Sequence, residues 1–460
     1  MTSPSHALLV AHRFPPDGTA GIERYTARLG AALVARGWRV TVLSGCVRPG
    51  AAQNAVLRER AEGLDVLRVV QNWPYRDLPE AVTDAALDRV FSEVLDDLAP
   101  DVVAFQSLHG LSWGWPAIAA HSGARVALHL HDAEISCASG GQRLHPDGAL
   151  CLPVDPRRCG ACFDRFRHRE GPLERAGRWA AARLPGAVPP DALHRAFAAL
   201  PEGVRDGLKV LNERAARRGS VGTSDGLDPR IVARRATIDA ALEHVDVIIS
   251  PSQFLADSLR GDGLDRDVTV VPTGGPALGR RGVERSQTAR VLFLGTWVHH
   301  KGPHVLADAL AGLDAATADR IHATARGPVP FPAYRDEVAA RCDGRLRVGG
   351  AVAADEVPDL IAAHDVLVVP SIWAENAPLV VLEARALGRP VLASDLGGLI
   401  ELVGPEDGLR FPAGDGRALG ELLRRLVHEP GLLAGLQATV RPPPSEADQV
   451  SAIVQAWAAP

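Results

Sequence analysis

Short apolar runs recur along this chain, and between most of them lies a stretch whose apolar residues are spaced for one face of a helix. A strand buried on both faces reads as a continuous apolar run, and parallel neighbours need a long, usually helical, crossover. The alternation therefore predicts an α/β fold built on parallel sheets. In the first half, His6–Ala11, Arg39–Ser44, Val66–Val70, Val102–Phe105, Arg125–Leu130, Val247–Ser250 and Val268–Val271 read as strands. In the second half they are Arg290–Leu294, Ile321–Ala325, Leu346–Val348, Val366–Val369, Val391–Ala393 and Leu409–Phe411.

A chain of 460 residues is too long for one core. Residues 1–272 are expected to form one domain and 290–440 a second, with the Gly- and Pro-rich stretch 273–289 linking them. Two segments interrupt the first domain: a cysteine-rich insert at 137–165 and an Arg/Ala-rich helical insert at 166–243. A last helical segment, 441–460, is expected to pack back on the N-terminal domain.

Charge and hydropathy narrow the function. No apolar run of signal-peptide length precedes Arg13, and none approaches the roughly 20 residues of a membrane span, so a cytoplasmic protein is expected. A net charge of −5 does not suggest nucleic acid. The stretch Arg157–Arg235 carries a basic excess that could face an anionic substrate or make weak contact with a membrane surface. Nothing in the composition indicates an oligomeric state.

Lysine is almost absent: Lys209 and Lys301 stand among 50 basic residues. A lysine kept in such a background is a candidate for holding phosphate as a compact point charge. Lys301 follows the strand Arg290–Leu294 and Gly295, in the run Gly295-Thr-Trp-Val-His-His-Lys301-Gly302. His299 and His300 could assist it.

The segment Asp365–Gly398 reads as strand, loop, helix, strand. Asn376 suits an N-cap with Pro378 in the first turn, which leaves amides near Ala377 and Leu379 facing the carboxyl end of the sheet. That is an anion site. Glu375 beside it and Glu383 within the helix are unwelcome next to phosphate unless they bind hydroxyls, so a ribose or hexose is expected. The bland alternative makes Glu375 a capping carboxylate and Glu383 a surface residue.

The spacing Pro370-Ser371, Glu375, Glu383-Ala384, Gly388-Arg-Pro-Val391 and Gly397-Gly-Leu-Ile-Glu401 resembles the donor-site signature of the group 1 (family 4) glycosyltransferases. The loop Pro15–Gly21 with its following helix looks like the family's N-terminal glycine loop. The resemblance implies a GT-B fold, two Rossmann-like domains facing across a cleft. It further implies a nucleotide-diphosphate-sugar donor and transfer to a hydroxyl, amine or thiol acceptor with retention, and no catalytic metal. By the same resemblance Glu383 would hold ribose, Glu375 the donor sugar, and Lys301 the diphosphate with the amides of Asn376, Ala377 and Leu379, Gly21 and Gly295 lying beside the donor. Thr296 stands where the family usually has arginine.

His131 and Asp132 end the strand Arg125–Leu130 on the acceptor side, where the resemblance places a histidine near the transferred sugar. The alternative for His131 is a hydrogen-bonded core residue. Cys137, Cys151, Cys159 and Cys162 follow, and the Cys159-Gly-Ala-Cys162 pair suits a structural zinc site, with an iron–sulfur cluster or redox thiols as alternatives. The rival functions are a GT-B sugar-nucleotide epimerase and a non-catalytic, metal-pinned scaffold. Specialised-metabolite and cell-envelope glycan biosynthesis both suit the leading reading.

Overall fold

The computed structural model describes residues 5–48, 50–72, 82–165, 226–282 and 288–459, with isolated positions between 200 and 207. The helical insert expected at 166–243 lies outside the described residues except for the isolated positions between 200 and 207 and the stretch 226–243. The chain divides into two compact units. The first comprises Met1–Ser250, Ser258–Thr269 and Ile453–Pro460, and the second Pro251–Asp257 and Val270–Ala452.

The first unit is built on an eight-stranded sheet of order β3-β4-β2-β1-β5-β6-β7-β8. Its strands are β1 (His6–Ala11), β2 (Arg39–Cys46), β3 (Val56–Ala61), β4 (Leu64–Val70), β5 (Val102–Phe105), β6 (Arg125–His129), β7 (Val247–Ser250) and β8 (Val268–Val270). The pairs β1–β2, β1–β5, β2–β4, β5–β6 and β6–β7 are parallel. Strand β3 pairs antiparallel with β4 through a turn at Glu62 and Gly63, both at positive φ. It was not expected, because Val-Leu-Arg-Glu-Arg-Ala alternates exposed and half-buried positions instead of forming an apolar run.

Leu8, Leu9, Val42, Leu43, Val103, Val126 and Ile248 are buried in this sheet, each stabilising the unit by roughly 1.5–3 kcal/mol relative to exposure. Asp84 caps the helix Ala85–Leu98 by accepting from the amides of Ala86 and Leu87. The helix Glu446–Ala458 ends against this unit. Trp457 Nε1 donates to His129 Nε2 at 3.2 Å, and its ring meets Trp38 edge to face at 5.7 Å.

The second unit holds a six-stranded, fully parallel sheet of order β11-β10-β9-β12-β13-β14. Its strands are β9 (Ala289–Leu294), β10 (Ile321–Arg326), β11 (Leu346–Val348), β12 (Val366–Val369), β13 (Val391–Ser394) and β14 (Gly408–Phe411). Val291, Phe293, Val366 and Val368 face one core, and Leu292, Leu367 and Val369 face the other, as strands covered on both faces must. The stretch expected as a linker is bound into this unit: Gly274 N donates to Gln449 Oε1 at 2.9 Å, and Gly275 pairs with Ser445.

Candidate functional site

In the second unit the carboxyl end of β9 runs through Gly295 into a single 3-10 turn, His299–Lys301. Gly302 ends that turn at φ +71, and a Cβ there would stand 1.8 Å from the carbonyl oxygen of Pro370. Only glycine allows the Lys301 loop to lie this close to the loop after β12. The approach is fixed again where Ile372 N donates to His300 O at 2.9 Å. Gly295 N donates to Arg326 O at 3.0 Å and keeps the end of β9 on β10.

Two residues far apart in sequence meet as a result. Lys301 Nζ lies 2.7 Å from Glu375 Oε1 and 5.0 Å from the Trp373 ring centroid. Ser371 Oγ also donates to Glu375 Oε1, at 2.7 Å. Glu375 is 5% exposed. Burial pushes its carboxyl up, but Lys301 and Ser371 outweigh that and hold it below the usual glutamate range. His300, against Trp373, is lowered to about 4 by burial and then by Lys301, so its ring is neutral at pH 7. The ammonium is thus the local cation, and its pairing with Glu375 keeps the side chain in one place.

The helix begins later than the sequence suggests. Pro378 is the N-cap, with extended ψ of 121, and the helix spans Leu379–Ala386. Asn376 and Ala377 therefore lie in the loop before it, and Glu383 sits about one turn inside it, partly buried. The shift follows from Pro378, whose fixed φ suits a cap as well as a first turn. The glycine turn supports this loop: Gly398 N donates to Glu375 O at 2.6 Å, and a Cβ at Gly398 would meet Asn376 O at 1.9 Å. Glu401, the last residue of that motif, accepts from the amides of Gln253 and Phe254 and caps the helix Gln253–Gly261.

In the first unit His131 and Asp132 follow β6. His131 packs against Tyr25 at 4.5 Å, and its Nε2 lies 3.0 Å from Gln106 Oε1. Burial lowers its pKa to about 4. Asp132 is a candidate to orient this ring or the acceptor hydroxyl, and Gln106, just after β5, is the residue on Nε2. Asp132 Oδ1 instead accepts from Glu134 N at 2.8 Å. Gly21 opens the helix Gly21–Val34, and a Cβ there meets nothing within 4 Å, so the helix itself does not require glycine. Gln106, Glu134 and Arg234 were not singled out in the sequence; their position becomes visible only once β5 and β6 are adjacent.

The four cysteines do not form the expected metal site. Among the described residues no three His, Cys, Asp or Glu side chains are disposed to hold a metal ion. Cys159 Sγ donates to Asp155 O at 3.4 Å, just before its own helix Pro156–Arg165, and Cys162 Sγ lies 3.1 Å from Ser139 Oγ. Burial, with Cys137, Cys162 and Cys151 nearby, pushes the Cys159 thiol up to about 12. The thiols share a neighbourhood, but two of them are turned to local oxygen partners. The segment is held instead by the buried pair Arg143–Asp262, with Asp262 Oδ1 also accepting from Val154 N at 2.9 Å. Among the described residues no helix is long and apolar enough to cross a membrane.

Residues 288–429 match the family model of "Glycosyl transferases group 1", and residues 19–185 that of "Glycosyltransferase Family 4". Among curated proteins, a D-inositol 3-phosphate glycosyltransferase of Streptomyces bingchenggensis is 28% identical over 245 residues, 48% of this chain and 54% of that one. The chain spans about half, or less, of the length of the first curated relatives it matches. Among solved structures, sucrose-phosphate synthase from Thermosynechococcus elongatus superposes with a TM-score of 0.63 at 17% identity, covering 98% of each chain. Anabaena HepE in complex with UDP and glucose gives 0.60 at 15% identity, again covering 98% of each. The two matched segments are thus similar to glycosyltransferase domains, and the chain shares the two-domain GT-B fold of these solved structures.

Proposed function

We propose that this chain transfers a sugar from a nucleotide-diphosphate donor, bound by its second unit, to an acceptor bound by its first. The observation that carries the reading is the Lys301–Glu375 pair at 2.7 Å, at the carboxyl end of a parallel sheet and beside the start of the helix Leu379–Ala386. The ammonium and the free amides of Leu379 and Val380 offer positive charge to a diphosphate, with Asn376 and Ala377 in the adjoining loop. Glu375 takes a hydroxyl of the donor sugar and Glu383 the ribose. Gly295 and the glycine loop ending at Gly21 allow close backbone approach. The HepE structure, a complex with UDP and glucose, is consistent with such a donor.

His131 is held neutral by burial, so it acts as a hydrogen-bonding group near the transferred sugar and not as a cation. Asp132 serves the acceptor side. Retention would follow if the leaving diphosphate draws the acceptor proton on the attacked face. Either specialised-metabolite or cell-envelope glycan biosynthesis supplies a setting for such a transfer, and the cytoplasm is where nucleotide sugars would meet it.

The test is a turnover assay with UDP-, GDP-, dTDP- and ADP-sugars, following nucleoside diphosphate release with and without a panel of acceptors. Acceptor-dependent release, with the anomeric coupling of the donor preserved in the product, supports the proposal. Epimerised donor without acceptor would move the epimerase reading to the front. No turnover and no nucleotide binding would favour the scaffold.

A further inference from the structure

The sheet of the first unit reverses its strand order once. Outward from β1 it runs through β2 and β4 on one side and through β5, β6 and β7 on the other. The carboxyl ends of β1 and β5 therefore border the switch point, where open parallel sheets take their ligands. The loop of residues 12–20 leaves β1 at that point and enters the helix Gly21–Val34. Pro16, Asp17, Thr19, Ala20 and Gly21 are exposed. Connections this open are usually mobile, but this one is tied down at three places.

Its root is held by Arg68 of β4, which is fully buried. Arg68 Nη1 donates to Phe14 O at 2.8 Å, and Nη2 donates to Pro15 O. The same guanidinium donates to Ser44 Oγ at 3.1 Å and, through Nε, to Glu59 Oε1 at 2.6 Å. The middle of the loop is held by Asp17, whose amide donates to Phe14 O at 3.0 Å. Arg48 grips the Asp17 carboxylate with two prongs, Nη1 to Oδ1 at 2.6 Å and Nη2 to Oδ2 at 2.9 Å. Arg68 Nη1 lies 3.4 Å from the same Oδ2. Arg48 is fixed in turn by the buried Asn72, which accepts from its amide at 2.9 Å and donates to its carbonyl at 3.1 Å. The far end of the loop folds onto the start of the helix, where a Cβ at Gly18 would stand 2.5 Å from Oε1 of the buried Glu23.

A guanidinium is costly to withdraw from water unless its donors are bonded. Here a buried one is bonded to the carbonyls at the root of an exposed loop, so the bonds fix the shape of a surface. Both oxygens of Asp17 are occupied by guanidinium nitrogens, which commits the carboxylate to the loop and not to a ligand. We infer that Asp17 is a positioning residue for the transfer. Through Arg48 and Arg68 it holds residues 16–21 in one shape at the switch point, beside the reacting groups. A loop already in place does not have to be ordered during each turnover, and that saving falls on kcat. The inference rests on the glycosyltransferase reading above for the reaction, while the anchoring needs only the bonds described.

The test compares the full chain with Asp17→Asn, Arg48→Gln and the double variant. Hydrogen exchange across residues 14–20 is expected to quicken about tenfold or more in each, with exchange in the second unit unchanged. With whichever nucleotide sugar the unaltered chain turns over, each single variant should lose about tenfold in kcat and keep its nucleoside diphosphate affinity within about twofold. The double variant should lose no more than the worse single one, because the two side chains act as one unit. Unchanged loop exchange overturns the anchoring. Quickened exchange with kcat intact overturns the positioning role and leaves the transferase reading standing. Losses that multiply in the double variant would mean that Asp17 meets a substrate directly, and would also overturn it. If Asp17→Asn does not fold, Arg48→Gln, altered at a half-exposed side chain, carries both measurements. No turnover of any nucleotide sugar by the unaltered chain overturns the transferase reading and the role with it, while the exchange result still reports the anchor.

Discussion

Glu375 in the second unit and Glu134 in the first are both carboxyls withdrawn from water, and they have been treated in opposite ways. Glu375 has an ammonium and a hydroxyl on one oxygen, and its pKa is lowered despite burial. Glu134 has Asp132 beside it and a guanidinium turned to the backbone, and its pKa is raised chiefly by burial. A compensated carboxylate is held in one place and already ionised. The Glu134 and Asp132 carboxyls are instead raised to about 7, chiefly by burial, so that holding a proton takes the place of a close ionic partner. The difference teaches that burial alone does not set the charge of a carboxyl: a cation and a hydroxyl within hydrogen-bonding distance keep Glu375 ionised where burial would protonate it.

The sharpest way to break this comparison is to remove the charge of Glu375 while keeping its shape. Glu375→Gln should lower transfer by about a hundredfold or more, with nucleoside diphosphate binding retained and melting shifted by only a few degrees. Steady-state kinetics on purified variant checks this, and full activity would end the role assigned to the carboxylate. A purely structural blow to the same loop comes next. Gly302→Ala forces a Cβ to within 1.8 Å of Pro370 O at a positive φ, and should cost about 2–4 kcal/mol in chemical denaturation of the second unit.

The smallest effect concerns pH. His300 and His304, both lowered to about 4 by burial, must stay neutral in the folded second unit. Histidines unfolded at the ordinary 6.5 bind protons first, so this unit loses stability as pH falls from 6.5 toward 4. The first unit has the same dependence through His129 and His131, with His6 and His109 also lowered, but Asp132 and Glu134, with Glu23 and Asp88, work against it. Their folded pKa values are raised, so their contribution is largest at low pH and is lost as pH rises from about 4 through neutrality. Hydrogen exchange, corrected for intrinsic rates, should show the second unit losing protection on acidification more steeply than the first.

How far the sequence disclosed all this depended on how local the signal was. Strands such as Val102–Phe105 and Val366–Val369 are short apolar runs buried on both faces, and they are found where the pattern puts them. Strand β3 escaped because an edge strand with Arg58, Glu59 and Arg60 has no apolar run to show. The helix after Glu375 starts at Leu379 and not near Asn376, since proline is compatible with both positions. The meeting of Lys301 with Glu375 could be expected from strand ends on one parallel sheet. The gathering of Glu134, His109 and Arg234 around one cavity of the first unit could not: they belong to three segments whose spacing carries no motif. The cysteine spacing, conversely, promised a metal geometry that the side chains do not adopt.

Calorimetric titration of the full chain with UDP, GDP, dTDP and ADP, repeated on Lys301→Ala, tests the central claim most directly. One diphosphate should bind the unaltered chain, and the variant should bind it at least about tenfold more weakly, a loss of about 1.4 kcal/mol or more. Binding of none of the four, or binding that Lys301→Ala leaves unchanged, would contradict a donor site built on Lys301 and Glu375.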